Sequence, residues 1–205
     1  MMRRINQWPA LLVALAVMAT LTAAGCAEKR VERVSTSQQL DLSGNWNDTD
    51  SQMVSADMIK DAMSFPWVDQ FKSKAGKNPV VVAYGVKNRT SEHINTETFM
   101  KDLERAFLRS GRVGVVADRD QRSELREERA DQQSGFAANP AKVGQEVGAD
   151  FVLTGTINSI TDRSGSSQVV FYQTNLELIN TTTNEKVWIG ENKIKKLIDR
   201  SKTKF

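Results

Sequence analysis

From Phe151 onward the apolar residues recur at every second position. Phe151, Leu153, Gly155 and Ile157 alternate with Thr154, Thr156 and Asn158, and Val170, Tyr172, Thr174, Leu176 and Leu178 repeat the pattern. A period of two assigns one set of side chains to each face of a strand, so both segments predict β-strands with one buried face. Residues 162–167 (DRSGSS) predict the turn between them. Thr181 to Asn184 predicts a second turn, and Lys186-Val187-Trp188-Ile189 opens a last strand. Three strands joined by short turns predict an antiparallel meander.

Upstream the pattern is different. Val80 to Tyr84 is an unbroken apolar run after Pro79, the mark of a strand buried on both faces. Ser51 predicts the cap of a helix carrying Val54, Met58, Ile59 and Ala62, ending near Phe65-Pro66, and Pro66 to Lys74 predicts a further helical turn. Asn95 or Thr96 caps a helix with Phe99, Met100, Leu103, Ala106 and Phe107 on one face, closed by Gly111. Val113 to Ala117 predicts a second strand. Asp118 caps a helix with ten charges in residues 118–131 and only Leu125 and Ala130 apolar, the signature of a solvated surface helix. Asn139-Pro140 predicts the start of a short helix that buries Val143 and Val147 and stops at Gly148. The expected fold is α/β (α+β). A single mixed β-sheet is flanked by helices, with parallel βαβ units followed by the antiparallel β-meander.

Composition bounds the function. A chain of 205 residues, 40% hydrophobic and 26% charged, suits one soluble domain with a tail. Its formal charge of +3 gives no reason to expect nucleic acid as a partner. One Cys and one His exclude a disulfide framework and a Cys/His zinc cluster, so no metal site is expected. No P-loop, Rossmann glycine set or G-x-S-x-G occurs. The single His93 has Ser91 two residues away, too local for a catalytic triad. The chain is read as a protein with no catalytic residue and no cofactor.

The N-terminus reads as an address. Arg3 and Arg4 precede an apolar run from Ala10 to Ala19, too short to span a bilayer, and small residues follow. The sole Cys sits at the expected cleavage point, in Ala23-Ala24-Gly25-Cys26. Two readings are open: a lipobox with diacylated Cys26, or an ordinary signal peptide. The lone position of the Cys favours the first, and Ala27 then favours the outer membrane over inner-membrane retention. The chain thus divides into residues 1–25 as lipoprotein signal peptide, 26–50 as lipidated Cys and periplasmic tether, and 51–205 as globular domain. Within the tether, Asp41 to Asp48 holds Trp46 and is expected to pack on the domain.

Two surface segments carry candidate function. Residues 87–94 follow the first buried strand, where open α/β sheets place binding loops. They read either as a recognition loop or as a connection in which Asn88, Thr90 and Ser91 bond the backbone. Lys186 to Phe205 holds seven Lys or Arg against Glu191 and Asp199. This stretch either attracts an acidic partner or is a charged edge strand.

The sequence resembles the penicillin-binding protein activator LpoB family. The resemblance rests on the lipobox at Cys26, on Asp41 to Asp50 (DLSGNWNDTD) and on Lys87 to Ile94 (KNRTSEHI). It also rests on Leu108-Arg109-Ser110-Gly111, on Arg126-Glu127-Glu128 with Gln132-Gln133-Ser134-Gly135, on Val147-Gly148-Ala149-Asp150 and on Trp188. It implies an outer-membrane lipoprotein, anchored by lipid and facing the periplasm. Such a protein docks, as an expected monomer, on a class A bifunctional penicillin-binding protein at its small regulatory domain. It stimulates peptidoglycan synthesis without chemistry of its own, by favouring the active synthase conformation. The expected contacts are Asn88, Arg89, Thr90, Ser91, Glu92 and His93, with Tyr172 and the Lys193–Lys196 strand as the second choice. A similar βα architecture in curli-secretion and Tol-type lipoproteins leaves a structural or secretion role as the alternative.

Overall fold

The computed structural model describes residues 31–36 and 38–199. Residues 1–30, including Cys26 and the segment expected to be a signal peptide, and residues 200–205 of the basic C-terminal stretch lie outside the described residues. The chain forms two compact units, Met1–Gln38 and Gln39–Phe205. In the first, Gln38 N–H donates to the Ser35 carbonyl (3.0 Å).

The second unit holds helices α1 (Asp48–Ser64), α2 (Trp67–Ala75), α3 (Thr96–Ser110) and α4 (Arg119–Asp131), the last continued by a π turn over Gln132–Phe136. Its strands are β1 (Val80–Asn88), β2 (Gly114–Val116), β3 (Phe151–Ser164), β4 (Ser167–Asn180) and β5 (Lys186–Asp199). They form one mixed sheet in the order β2-β1-β3-β4-β5. β1 runs parallel to β2 and β3, and β3, β4 and β5 form the antiparallel meander. Asp150 sets the β1–β3 register: its N–H donates to the Val80 carbonyl (2.8 Å) and its Oδ2 accepts the Val80 N–H (3.0 Å).

The period of two sorts the sheet into its faces. Phe151, Leu153 and Ile157 of β3, with Val170, Tyr172, Leu176 and Leu178 of β4, are buried in one core with Val54 and Met58 of α1, Trp67 of α2, and Phe99, Leu103 and Phe107 of α3. Trp67 sits edge-on to Phe107 and Phe151 and donates its indole N–H to the Ala62 carbonyl (2.9 Å), which satisfies its one polar atom. Full burial of each such side chain is worth about 1.5–3 kcal/mol. On the opposite face Ile160, Ile189 and Leu197 stay exposed. Tyr84 is an extra residue in the β1–β3 ladder, and the bulge is completed by Gly85 at φ +92°, a conformation that glycine adopts without strain.

Four local expectations are corrected. Residues 139–148 form no helix, and Val143 and Val147 are exposed. The cap and proline signals are purely local, and no apolar surface receives the two valines. The turn expected over 162–167 shrinks to Gly165 and Ser166, because the β3–β4 ladder runs on to Ser164 and Ser167. β1 continues past Tyr84 to Asn88, which shortens the following loop. The first helix starts at Asp48, with Asn47 and Asp50 exchanging both capping-box bonds. Ser51 instead accepts the Trp46 indole N–H (2.7 Å).

Candidate docking site

The last ladder bond of β1 runs from Arg89 N–H to the Ile157 carbonyl (2.8 Å). Beyond it the chain turns on its own polar side chains. Asn88 Oδ1 accepts the Thr90 N–H (2.9 Å) and the Thr90 hydroxyl (2.8 Å). Asn88 Nδ2 donates to the Glu92 carbonyl (2.7 Å), and Thr90 Oγ1 accepts the Glu92 N–H (3.1 Å). These are the self-bonding turns that Asn and Thr favour. Asn88 and Thr90 therefore shape the loop. Arg89, Ser91 and His93 are exposed, and among the described residues their side chains make no hydrogen bond or ion pair.

Glu92 turns the other way. Its Oε1 accepts the Tyr172 hydroxyl (2.5 Å) and its Oε2 accepts the main-chain N–H of Trp46 (2.9 Å). Both bonds are charge-assisted, the strong kind. Burial and the Glu92 carboxylate push the Tyr172 phenol above its ordinary range, so it stays a donor. The Trp46 ring stands edge-on to Tyr172 with centroids 5.4 Å apart.

Residues 40–47 run as a strap to this point. Gly44 passes over Ile198 at φ +72°, where an added Cβ would meet the Ile198 side chain at 2.4 Å. Lys196 anchors the strap. Its ammonium donates to Asp41 (3.0 Å) and to the Asn45 carbonyl (3.1 Å), and it pairs with buried Asp50 (2.6 Å). Burial alone would lower the Lys196 pKa, but the bonds from Asp50 and Asp41 outweigh it and hold it above the ordinary lysine value. The hydrogen bond from Lys196, then that from Asn47, holds the Asp41 carboxyl below its usual value.

The structure thus brings five of the expected contacts into two roles and one residue inward. Arg89, Ser91 and His93 face solvent, Asn88 and Thr90 build the turn, and Glu92 holds it to the body. Of the second-choice surface, Tyr172 is buried at 1% exposure and Lys196 points into the strap, while Lys193 and Lys195 are exposed. Sequence reading missed Asp50 and the inward role of Lys196. The signal was present for Lys196, which shares the parity of Trp188 and Ile194 on β5.

Next to the loop an open cleft of about 760 Å³ lies between β1, α3 and the start of α4. Lys87, Lys101 and Arg119 face it, but so do Glu97, Glu104 and Asp120, so it selects no single ligand charge. Among the described residues no cluster of His, Cys, Asp and Glu could hold a metal ion. No helix among them is long and apolar enough to cross a membrane.

Residues 50–194 match the family model described as peptidoglycan-synthase activator LpoB. No curated protein matches the chain. Among solved structures, the LpoB C-terminal domain from Salmonella enterica is 18% identical, with 63% of this chain and 93% of that one covered and a TM-score of 0.34. Lipoprotein GNA1162 from Neisseria meningitidis is 18% identical over 61% of this chain and 88% of that one, with a TM-score of 0.38. The solution structure of Escherichia coli LpoB is 13% identical over 87% and 85%, with a TM-score of 0.33. The family match spans well over half of the chain, and on that ground the chain belongs to the LpoB family of peptidoglycan-synthase activators.

Proposed function

We propose that this protein is a lipid-anchored activator of a class A bifunctional penicillin-binding protein, acting from the outer membrane on the periplasmic side. Residues 1–25 are its secretion signal, Cys26 carries the acyl chains, and the segment from there to the strap at residue 40 tethers the domain, since residues 40–50 pack as part of it. The domain docks as a monomer on the small regulatory domain of the synthase and shifts that enzyme toward its active conformation. The observation that carries this reading is the family match over residues 50–194. The exposed polar face of Arg89, Ser91 and His93 supports the choice of surface. These side chains are free to pair outward, on a turn already fixed by Asn88 and Thr90. Arg89 can grip a carboxylate with both arms of its fork.

The test is glycan polymerisation by a purified class A synthase, with and without the protein. A higher rate, together with retention of the synthase on the immobilised protein, is the expected result. No retention and no change in rate would overturn the reading.

A further inference from the structure

We infer that strap 40–47 and the turn after β1 are one unit, in which the strap braces the docking loop through Glu92. The loop's own bonds join neighbours within residues 88–92 and lie near the surface. Beyond them it is tied to the body by the Arg89 N–H bond to the Ile157 carbonyl at its start, by buried Ile94 at its end and by the Glu92 carboxylate between them. That carboxylate has two oxygens and two donors, one from β4 and one from the strap. Unseating the strap strips Oε2 of its donor and uncovers the Tyr172 ring that Trp46 stands against. A half-buried carboxylate left short of a donor is driven to rearrange. The turn that carries Arg89 and His93 then rearranges with it, because Glu92 is also a member of that turn.

The strap is the stretch through which the chain leads back to its N-terminus. Lys196 holds the strap ahead of Trp46, so the seat of the Trp46 N–H on Glu92 rests on that anchor as well. The consequence for synthase docking rests on the proposed function; the coupling itself does not.

Hydrogen exchange on the full chain tests this, with Trp46→Pro, Trp46→Phe and Glu92→Gln. The proline removes the N–H and the ring, and the phenylalanine keeps the N–H and most of the ring. The glutamine keeps the size of Glu92 but sets an amide NH₂ against one donor. The Thr90 and Glu92 amides are expected to exchange at least roughly tenfold faster in Trp46→Pro and Glu92→Gln. They should stay near the parent rate in Trp46→Phe, while the Leu153 and Leu176 amides hold their rates in all three. Affinity for a class A synthase should fall in the same order. Unchanged Thr90 and Glu92 exchange in both Trp46→Pro and Glu92→Gln overturns the inference. So does equal acceleration throughout the sheet, which would make the network a general support of the fold. Accelerated loop exchange in a protein that binds no synthase would uphold the brace and overturn the docking reading.

Discussion

Glu92 and Glu146 each grip two partners, and they hold very different parts of the molecule. Glu92 joins the strap, the turn after β1 and β4, across 46 and 80 residues of sequence, in a half-buried setting. Glu146 joins Arg126 and Arg129 of α4, no more than 20 residues away. α4 has no buried residue, and Phe136, Val143 and Val147 beyond it are exposed. The comparison teaches that a pair of charge-assisted bonds fixes structure only as firmly as its surroundings exclude water. One glutamate organises a site, and the other clips a surface helix to a loop.

Five outcomes break or sharpen that contrast. The largest effect is expected for Glu92→Ala, which leaves the Tyr172 hydroxyl and the Trp46 N–H without their acceptor. Urea unfolding should show a loss of about 1–3 kcal/mol. Glu146→Ala should leave the same midpoint unmoved, and a comparable loss there would erase the distinction.

Next is replacement of a buried hydroxyl. Thr174 Oγ1 is buried on β4 with no hydrogen-bond partner. Thr174→Val keeps its shape and should raise unfolding stability by about 1 kcal/mol, measured by the same titration. A loss would mean that the hydroxyl is satisfied.

Acid should then act on the exposed region. The Arg126 and Arg129 guanidinium groups lower Glu146 from 4.5 to about 2. A depressed carboxylate contributes fully above its unfolded pKa and loses that contribution as the pH falls through its folded one. Residues 140–148 should therefore come loose from α4 between about pH 4.5 and 2, visible as faster amide exchange. Lys196 has the opposite sign. Its raised pKa means that its hold on the strap is present below 10.5 and fades as the pH climbs through the folded value above that. The indole signal of Trp46 should shift there. The smallest effect is salt. At 1 M the screening length is roughly 3 Å, which should loosen the Glu146 clip and leave the Tyr172–Glu92 bond in place.

The sheet was legible because alternation is a local signal with a single structural meaning. Phe151 to Ile157 and Val170 to Leu178 point where their parity says. Trp46 was legible as a residue in need of a surface, and Asn95 as a cap. The failure at Asn139-Pro140 has a physical cause: cap chemistry says where a helix can start, but only a burying surface keeps one together. The inward turn of Glu92 was not legible. It sits in a polar string, and its partners are 46 and 80 residues distant. Lys196 was hidden by its company, since seven bases in one stretch read as a solvated edge until the parity of β5 is counted.

The central claim is that the outward side chains of the turn after β1 meet the synthase. The most direct measurement is the affinity of a purified class A synthase for the protein and for the Arg89→Ala/His93→Ala double variant. Both side chains are exposed and free of internal bonds among the described residues, so the variant should unfold at the parent's midpoint. The account predicts binding at least about tenfold weaker, from the loss of one charged anchor and its neighbour. Equal affinity at an equal midpoint would contradict it and move the docking surface away from this loop.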